Sequence, residues 1–105
     1  MGVAGEVLPL AETSLVESCQ RGDRQALESL YRLHSRRVYS VVRRMVGAMD
    51  ADEVTQETFI RIFKGINGFR GESGLGTWVY RLAVHVSLTF LSRRQQQLER
   101  MRPVE

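Results

Sequence analysis

The spacing of apolar residues along this chain is the feature that most restricts its fold. In the segment 23–46, side chains suited to a protein interior recur every three to four positions, as on one face of an α-helix. The stripe comprises Leu27, Leu30, Tyr31, His34, Val38, Val41, Val42 and Met45. β-branched residues fall within this helical period and do not alternate as they would in a strand. The pattern therefore predicts an all-α protein.

Capping residues and glycines divide the chain into about four predicted helices. We expect them at about residues 14–20, 23–46, 51–66 and 77–94 or beyond. The predicted N-terminal caps are Ser14, Asp23, Asp50 and Thr77, and the first and third of these begin box-like spacings to a glutamate. A chain of 105 residues is suited to one domain, so we expect a compact helical bundle with a small core.

The third and fourth predicted helices each have an apolar stripe. We expect Val54, Phe59, Ile62, Phe63 and Ile66 to be buried in the third, and Val79, Leu82, Ala83, Val86, Phe90 and Leu91 in the fourth. The other side of the third helix is polar. Such a face is typical of a solvated surface with pairs such as Glu57–Arg61.

A glycine-rich segment, residues 67–76, separates these two helices. Four of its ten residues are glycine, which precludes a stable helix. The segment also contains phenylalanine, arginine and leucine, and is therefore unlike a plain solvated linker. Ordered loops between helices are common places for binding residues. We expect an ordered binding loop before the last helix.

Charge is distributed unevenly along the chain. The net charge is +3, but residues 1–20 contribute −3, residues 21–47 contribute +5, residues 48–68 contribute −2 and residues 69–105 contribute +3. These blocks indicate one surface for an acidic polymer and another for a basic partner. Lys64 is the only lysine among fifteen basic residues. Arginine suits bidentate phosphate contacts, although a GC-rich genome would also explain the preference.

The residue types needed for catalysis do not occur in suitable patterns. His34 and His85 stand on different predicted helices, with no acidic residue at metal-ligand spacing. The glycine-rich segment lacks the Gly-Lys-Ser/Thr ending of a phosphate-binding loop. We therefore expect no catalytic residue, no metal, no cofactor and no small-molecule substrate.

The single cysteine, Cys19, makes an intramolecular disulfide impossible. This fits a reducing cytoplasm. The N-terminal residues have neither the basic start of a signal peptide nor a long apolar stretch. We therefore expect a cytoplasmic protein.

Several motifs resemble region two of the extracytoplasmic-function sigma factors. They are QRGDRQA (residues 20–26), DEVTQETFIRIF (52–63), FRGES (69–73) and TWVYRLA (77–83), in this order and at family-like spacing. The resemblance covers about residues 14–94. It implies an all-helical domain of a transcription initiation factor that binds core RNA polymerase and recognises and melts the promoter minus-ten element.

The resemblance implies that the third helix docks on the clamp helices of the largest subunit of core RNA polymerase. The residues that match are Asp52, Glu53, Gln56, Glu57, Arg61 and Lys64. An acidic, amide-bearing helical face can meet the arginines of a partner, which gives register and a faster association rate. The predicted partner surface is therefore one side of this helix.

The resemblance also implies that the loop and the fourth helix bind single-stranded promoter DNA, namely the non-template strand of the minus-ten element. The candidate residues are Phe69, Arg70, Ser73, Leu75, Trp78, Arg81 and His85, with Arg93 and Arg94 farther along the helix. A base flipped into a pocket needs aromatic faces and hydrogen bonds in place of its lost stacking. Phe69 and Trp78 could instead attach the loop to the core, and both roles are open for Trp78.

Four positions depart from the family pattern. Leu75-Gly76 stand where relatives often have an aromatic pair, His85 replaces a common asparagine, and Thr89 replaces a frequent aspartate. These differences change the stacking surface and the hydrogen-bonding groups. A relative's promoter preference is therefore not transferred to this chain.

The resemblance divides the chain into a flexible N-terminal segment (1–13), a helical domain (14–94) and the start of a linker (95–105). Family members normally have a further helix-turn-helix domain, and nothing after Arg94 could form one. A chain cut within the linker is favoured over a naturally short protein. The resemblance also implies an anti-sigma factor as a partner.

Two other functions remain as alternatives. One is a protein-interaction module that binds polymerase or an anti-sigma factor without reading DNA. The other is a duplex-binding helix-turn-helix protein, which fits less well because that motif needs a turn of about three to four residues. The glycine-rich segment is longer than such a turn.

Overall fold

The computed structural model describes residues 4–103, and the side chains of residues 11–103. It consists of α1 (Ala4–Gln20), α2 (Arg24–Val46), α3 (Ala51–Gly65), a 3₁₀ turn (Ile66–Gly68) and α4 (Leu75–Arg100). The described residues include no strand, so the predicted all-α class with about four helices is confirmed. Residues 69–74, here called the α3–α4 loop, lie before the last helix as predicted. No helix in the described part of the chain has the length and apolar content to cross a bilayer.

Helix α2 lies at the centre of the bundle. It packs against α1, α3 and α4, and α3 also packs against α4. The inner faces of the helices form one core, which includes Val16, Cys19, Leu30, Val38, Val42, Val54, Phe59, Ile62, Ile66, Leu75, Val79, Ala83 and Val86. Leu30 of α2 is fully buried. Burial of such a side chain stabilises the fold by about 1.5–3 kcal/mol.

Helix α2 begins and ends where the sequence predicts. The carboxylate of Asp23 accepts a hydrogen bond from the Gln25 backbone N–H at 2.9 Å, which caps the helix. After Val46 the chain turns at Gly47, whose φ of +94° is a conformation that favours glycine. These two residues determine the length of the central helix.

The predicted capping box at Asp50 was wrong. Asp50 stands at the start of α3, but its side chain makes no capping hydrogen bond. Its Oδ2 instead lies 2.8 Å from Nη1 of Arg94 in α4. The carboxylate therefore joins α3 to α4, a use that the local sequence does not reveal.

Two helices begin earlier than their local signals predict. Helix α1 begins at Ala4, so Ser14 lies inside it and the predicted cap there was wrong. Residues 4–13, which we expected to be flexible, belong to α1, and residues 1–3 lie outside the described part of the chain. Helix α4 begins at Leu75 with Gly74 at the N-cap position, and not after Thr77. A capping residue marks a helix start only when the preceding residues leave the helix.

Burial follows the predicted stripes except at two aromatic residues. Tyr31 is 47% exposed and Phe63 is 36% exposed, so the prediction that they are core residues was wrong. Both rings pack on the buried Phe59, with ring centroids at 4.8 Å from Tyr31 and 5.9 Å from Phe63. The stripes on α2 and α3 are wider than the contact between the helices, so their outer members reach the surface.

Replacing Leu30 by alanine tests the central role of α2. We expect Leu30→Ala to lower the free energy of unfolding by about 2–5 kcal/mol, because a fully buried leucine leaves a cavity. Urea denaturation followed by circular dichroism measures this change. Leu33→Ala is the matched control on the same helix, since Leu33 is 68% exposed, and should change stability by less than about 0.5 kcal/mol. Equal losses in the two variants would contradict the assigned core.

Candidate nucleic-acid interface

Helix α1 holds the beginning of the α3–α4 loop through Gln20. The side-chain amide of Gln20 donates to the carbonyl oxygen of Ile66 at 2.9 Å and to that of Phe69 at 3.2 Å. Both bonds are partly buried, so water competes with them less than at an exposed site. The main chain leaving the 3₁₀ turn is therefore attached to α1.

Helix α1 also holds the end of the loop, through Glu12. Its carboxylate Oε2 accepts a hydrogen bond from the backbone N–H of Leu75 at 2.9 Å. Leu75 is the first residue of α4, whose N-cap residue, Gly74, has no side chain to provide this bond. A negative charge near a helix N-terminus is also favoured by the helix dipole. Glu12 thus has the capping role that the sequence suggested for Thr77.

The α3–α4 loop and the start of α4 form a pocket of about 280 Å³, here called the loop pocket. Its lining residues are Gly68, Phe69, Arg70, Glu72, Ser73, Trp78 and Arg81. Five of them belong to the set that the sequence resemblance assigned to DNA binding. The fold therefore brings together residues that are as much as twelve positions apart in the sequence.

Two aromatic rings form one side of the loop pocket. The ring centroids of Phe69 and Trp78 are 5.3 Å apart and the rings are inclined by 53°. Both side chains are half-buried and pack against the core. The Trp78 ring also lies on the backbone of Gly65, where an added Cβ would be 3.4 Å from Cζ2. Two roles were considered for Trp78, a core contact and a place in the binding site. Its side chain packs against the core and also lines the loop pocket.

The loop pocket has an excess of positive charge. Arg70 and Arg81 line it together with one acidic residue, Glu72, and all three are exposed. Within residues 11–103 the one ion pair joins Arg94 to Asp50, so neither pocket arginine is neutralised by contact with a carboxylate of that part of the chain. Unpaired guanidinium groups beside aromatic rings suit a polyanion that also presents flat rings.

Leu75 does not lie on the surface. It is 1% exposed and belongs to the core, so it presents no surface to DNA in this conformation, and its assignment as a residue that contacts DNA stays a prediction. The reason for its burial is the early start of α4, which turns its side chain into the bundle. The hydroxyl of Ser73 lines the loop pocket and donates to the carbonyl of Gly74 at 3.2 Å.

The remaining predicted DNA-binding residues lie farther along α4. His85 and Arg93 are exposed but do not line the loop pocket. Arg94 is paired with Asp50, and its guanidinium carbon lies 5.5 Å from the centre of the Phe90 ring. Arg94 therefore has a structural contact, which distinguishes it from the unpaired arginines of the loop pocket.

The predicted polymerase-binding face lies on α3. Asp52, Glu53, Gln56, Arg61 and Lys64 are exposed. Glu57 is half-buried and makes no ion pair with Arg61, so the expected i,i+4 pair is absent from the described residues. The predicted face thus has polar groups that are available to a partner.

A groove beside that face is the feature that sequence reasoning missed. It lies between α2 and α3, has a volume of about 640 Å³ and is here called the α2–α3 groove. Its lining residues are Tyr31, Ser35, Arg36, Tyr39, Asp52, Thr55, Gln56, Phe59, Ile60 and Phe63. The signal that could have revealed it is the excess width of the apolar stripes on the two helices. Exposed aromatic and aliphatic side chains next to charged ones are typical of a protein-binding surface.

Two titratable side chains that pack into the bundle, Cys19 and His34, have shifted pKa values. Burial raises the pKa of the Cys19 thiol, and the nearby charge of Asp23 acts in the same direction, so the thiol stays protonated at neutral pH. Burial lowers the pKa of His34; the charge of Glu12 opposes this shift and that of Arg37 adds to it. Among the described residues, no three His, Cys, Asp or Glu side chains are grouped so that they could hold a metal ion.

Comparisons with known proteins agree with the sequence motifs. A family model described as Sigma-70 region 2 matches residues 30–97. The chain is 37% identical over 83 residues to the ECF RNA polymerase sigma-E factor of Haemophilus influenzae, covering 79% of this chain and 44% of that protein. It is 38% identical over 82 residues to the factor of the same name from Escherichia coli (strain K12), covering 78% of this chain and 43% of that protein. The chain therefore spans less than half the length of these curated relatives.

A solved structure of similar fold is the NMR structure of an engineered region 2 of sigmaE in complex with GTAAAA. It matches this chain with a TM-score of 0.78 and 33% sequence identity. The match covers 84% of this chain and 93% of the other. Fold and sequence thus point to the same group of proteins.

Removal of the Gln20 side chain tests how the loop pocket is held. We expect Gln20→Ala to cost about 1–2 kcal/mol of stability and to loosen the loop, because two main-chain carbonyls lose their partner. Trp78, the only tryptophan, reports on the pocket, so its fluorescence should become easier to quench with acrylamide. Gln25→Ala is the matched control, since Gln25 is exposed and only its backbone is hydrogen-bonded. Equal quenching in both variants would show that Gln20 does not hold the loop.

Proposed function

Because this chain belongs to the Sigma-70 region 2 family, we propose that it is a transcription initiation domain that binds core RNA polymerase and captures single-stranded promoter DNA. The observation that supports this most directly is the loop pocket, in which two aromatic rings and two unpaired arginines lie together. The function is binding, and no chemical step is assigned to any residue. We propose that this binding takes place in the cytoplasm, where core polymerase acts on DNA.

The loop pocket offers what a base needs when it leaves a duplex. An extruded base loses stacking worth a few kcal/mol, and stacking on an aromatic side chain returns about 1–3 kcal/mol per base. Phe69 and Trp78 supply aromatic surface, and Arg70 and Arg81 supply charge for the adjacent phosphates. We propose that the pocket holds a base of the non-template strand at the minus-ten element. Binding energy alone then favours the separated strands.

The positions of Leu75 and His85 in the fold bear on which residues determine the base preference of the loop pocket. Leu75 is buried, so its departure from the aromatic residue of relatives changes packing under the loop rather than the surface of the pocket. His85 is exposed on α4 and is not a lining residue. Base preference therefore depends on side chains of the loop, of which Arg70, Glu72 and Ser73 are the polar members.

The polar face of α3 and the α2–α3 groove form the proposed polymerase-binding surface. Asp52 and Gln56 belong to both, so the charged and the apolar parts are continuous. Interface energy is usually concentrated in aromatic anchors, with charges at the rim giving register and association rate. We propose that Tyr31 and Phe63 anchor the clamp helices of the largest subunit. An anti-sigma factor that competes with polymerase would cover the same surface.

A single-stranded DNA assay tests the loop pocket. We expect Phe69→Ala and Arg81→Ala to weaken binding to the hexanucleotide GTAAAA, the first by about 5- to 150-fold because it removes one stacking face. Fluorescence anisotropy at low salt, with single-base variants of the hexanucleotide, measures affinity and base preference. Arg100→Ala is the control, because it removes the same charge about 28 Å along α4 from Arg81.

A combination of two results would contradict DNA capture. If the unmodified chain shows no preference among the hexanucleotides, and neither Phe69→Ala nor Arg81→Ala lowers affinity, the loop pocket does not bind bases. That result would favour a protein-interaction module that binds polymerase without reading DNA.

Charge reversal on α3 tests the polymerase-binding surface separately. We expect the double variant Glu53→Lys/Glu57→Lys to bind the isolated clamp-helix coiled coil roughly tenfold more weakly, because the charges that face the partner change sign. A pull-down titration measures this affinity. Glu53→Lys and Glu57→Lys are also measured singly, and Glu99→Lys, at the far end of α4, is the control for the net charge of each single variant. Unchanged binding by the α3 variant would remove this face from the interface.

A further inference from the structure

The arginines of α2 form a charged surface outside the loop pocket and the α3 face, and one of them, Arg36, also lines the α2–α3 groove. Residues 29–49 contain five arginines and no acidic residue. The five are Arg32, Arg36, Arg37, Arg43 and Arg44, and all are exposed. None is in an ion pair with another described residue. Positive charges that lie so close together without acidic neighbours repel one another, and such a surface suits an anionic partner.

Part of this surface lines a second groove, between α2 and α4. This α2–α4 groove has a volume of about 730 Å³, and its lining includes Leu33, Arg36, Arg37, Arg44 and Tyr80. Arg37 and Arg44 are seven residues apart, which places them on one side of α2 about 10.5 Å from each other. Tyr80 faces them from α4 and is 44% exposed. Arg32 and Arg43 do not line the groove.

The α2–α4 groove and the loop pocket are separated by one helix, α4. Arg81 lines the loop pocket, while its neighbour Tyr80 lines the groove. The outward face of α4 lies between the two sites. Arg37 also reaches the first turn of α4: its Nη1 lies 3.6 Å from where a Cβ on Gly76 would be. A strand that leaves the loop pocket across α4 therefore arrives at the guanidinium groups of α2.

We propose that the α2–α4 groove binds the sugar-phosphate backbone of the DNA strand next to the base in the loop pocket. Arg37 and Arg44 contact phosphates, and Tyr80 lies against a base or sugar. The inference rests on the proposed function, because it extends the path of the same strand. Charge complementarity, the phosphate-matching geometry of guanidinium and an interleaved aromatic ring favour single-stranded nucleic acid over an acidic protein.

The test uses oligonucleotides of two lengths. The short probe is the hexanucleotide GTAAAA, and the long probes extend it by about six thymines at either the 5′ or the 3′ end, within the span of known single-strand sites. The unmodified chain should bind one of the long probes more tightly than the hexanucleotide. Arg37→Gln/Arg44→Gln should lose that gain, roughly tenfold at low salt, and leave the affinity for the hexanucleotide unchanged. Its slope of log affinity against log salt should become less steep by about 1.4.

The control is Arg32→Gln/Arg43→Gln, which removes the same charge from the same helix outside the groove. It should keep the gain on the long probe, and circular dichroism should show equal helix content in both variants. The proposal is overturned if neither extension increases affinity, or if both double variants lose the gain equally. Unchanged DNA binding by Arg37→Gln/Arg44→Gln together with weaker binding to polymerase would assign the groove to a protein instead. Failure of the proposed function is seen separately, as loss of hexanucleotide preference in the unmodified chain.

Discussion

The packing of α2 against the other three helices is the contact on which the rest of the structure depends. A chain of this size buries only about two-thirds of the surface that its unfolded form exposes. One helix therefore provides the shared wall of the core through Leu30, Val38 and Val42, and its opposite side remains in solvent. That outer side has the densest positive charge of the chain.

Much of the fold could be predicted because its signals are local. The start of α2 depends on Asp23 and its end on Gly47, and both are recognisable within one helical turn. The failures arise where a distant contact replaces a local one. Asp50 pairs with Arg94, on another helix, and so does not cap α3. The exposure of Phe63 depends on how closely two helices approach, and the periodicity of one helix contains no information about that distance.

The candidate site could be predicted as a set of residues but not as an arrangement. The two motifs that include Phe69, Trp78 and Arg81 contain most of the residues that line the loop pocket. The two residues that hold the loop were missed. Gln20 and Glu12 act across 46 to 63 positions of sequence, and a single glutamine or glutamate on a helix has no distinguishing pattern. Only the folded chain reveals that such common residues have these partners.

The hydrogen bonds by which α1 holds the loop all go to main-chain atoms of the residues at its two ends. Gln20 bonds two carbonyl oxygens and Glu12 bonds one N–H group, so neither contact depends on which side chains the loop has. Substitutions at positions such as Arg70 and Ser73 can therefore alter what the pocket recognises while the loop keeps its placement. Under the proposed function, recognition of DNA and anchoring of the loop are thus separable in this domain. The loop would then be a suitable region in which to engineer a new base preference without rebuilding the bundle.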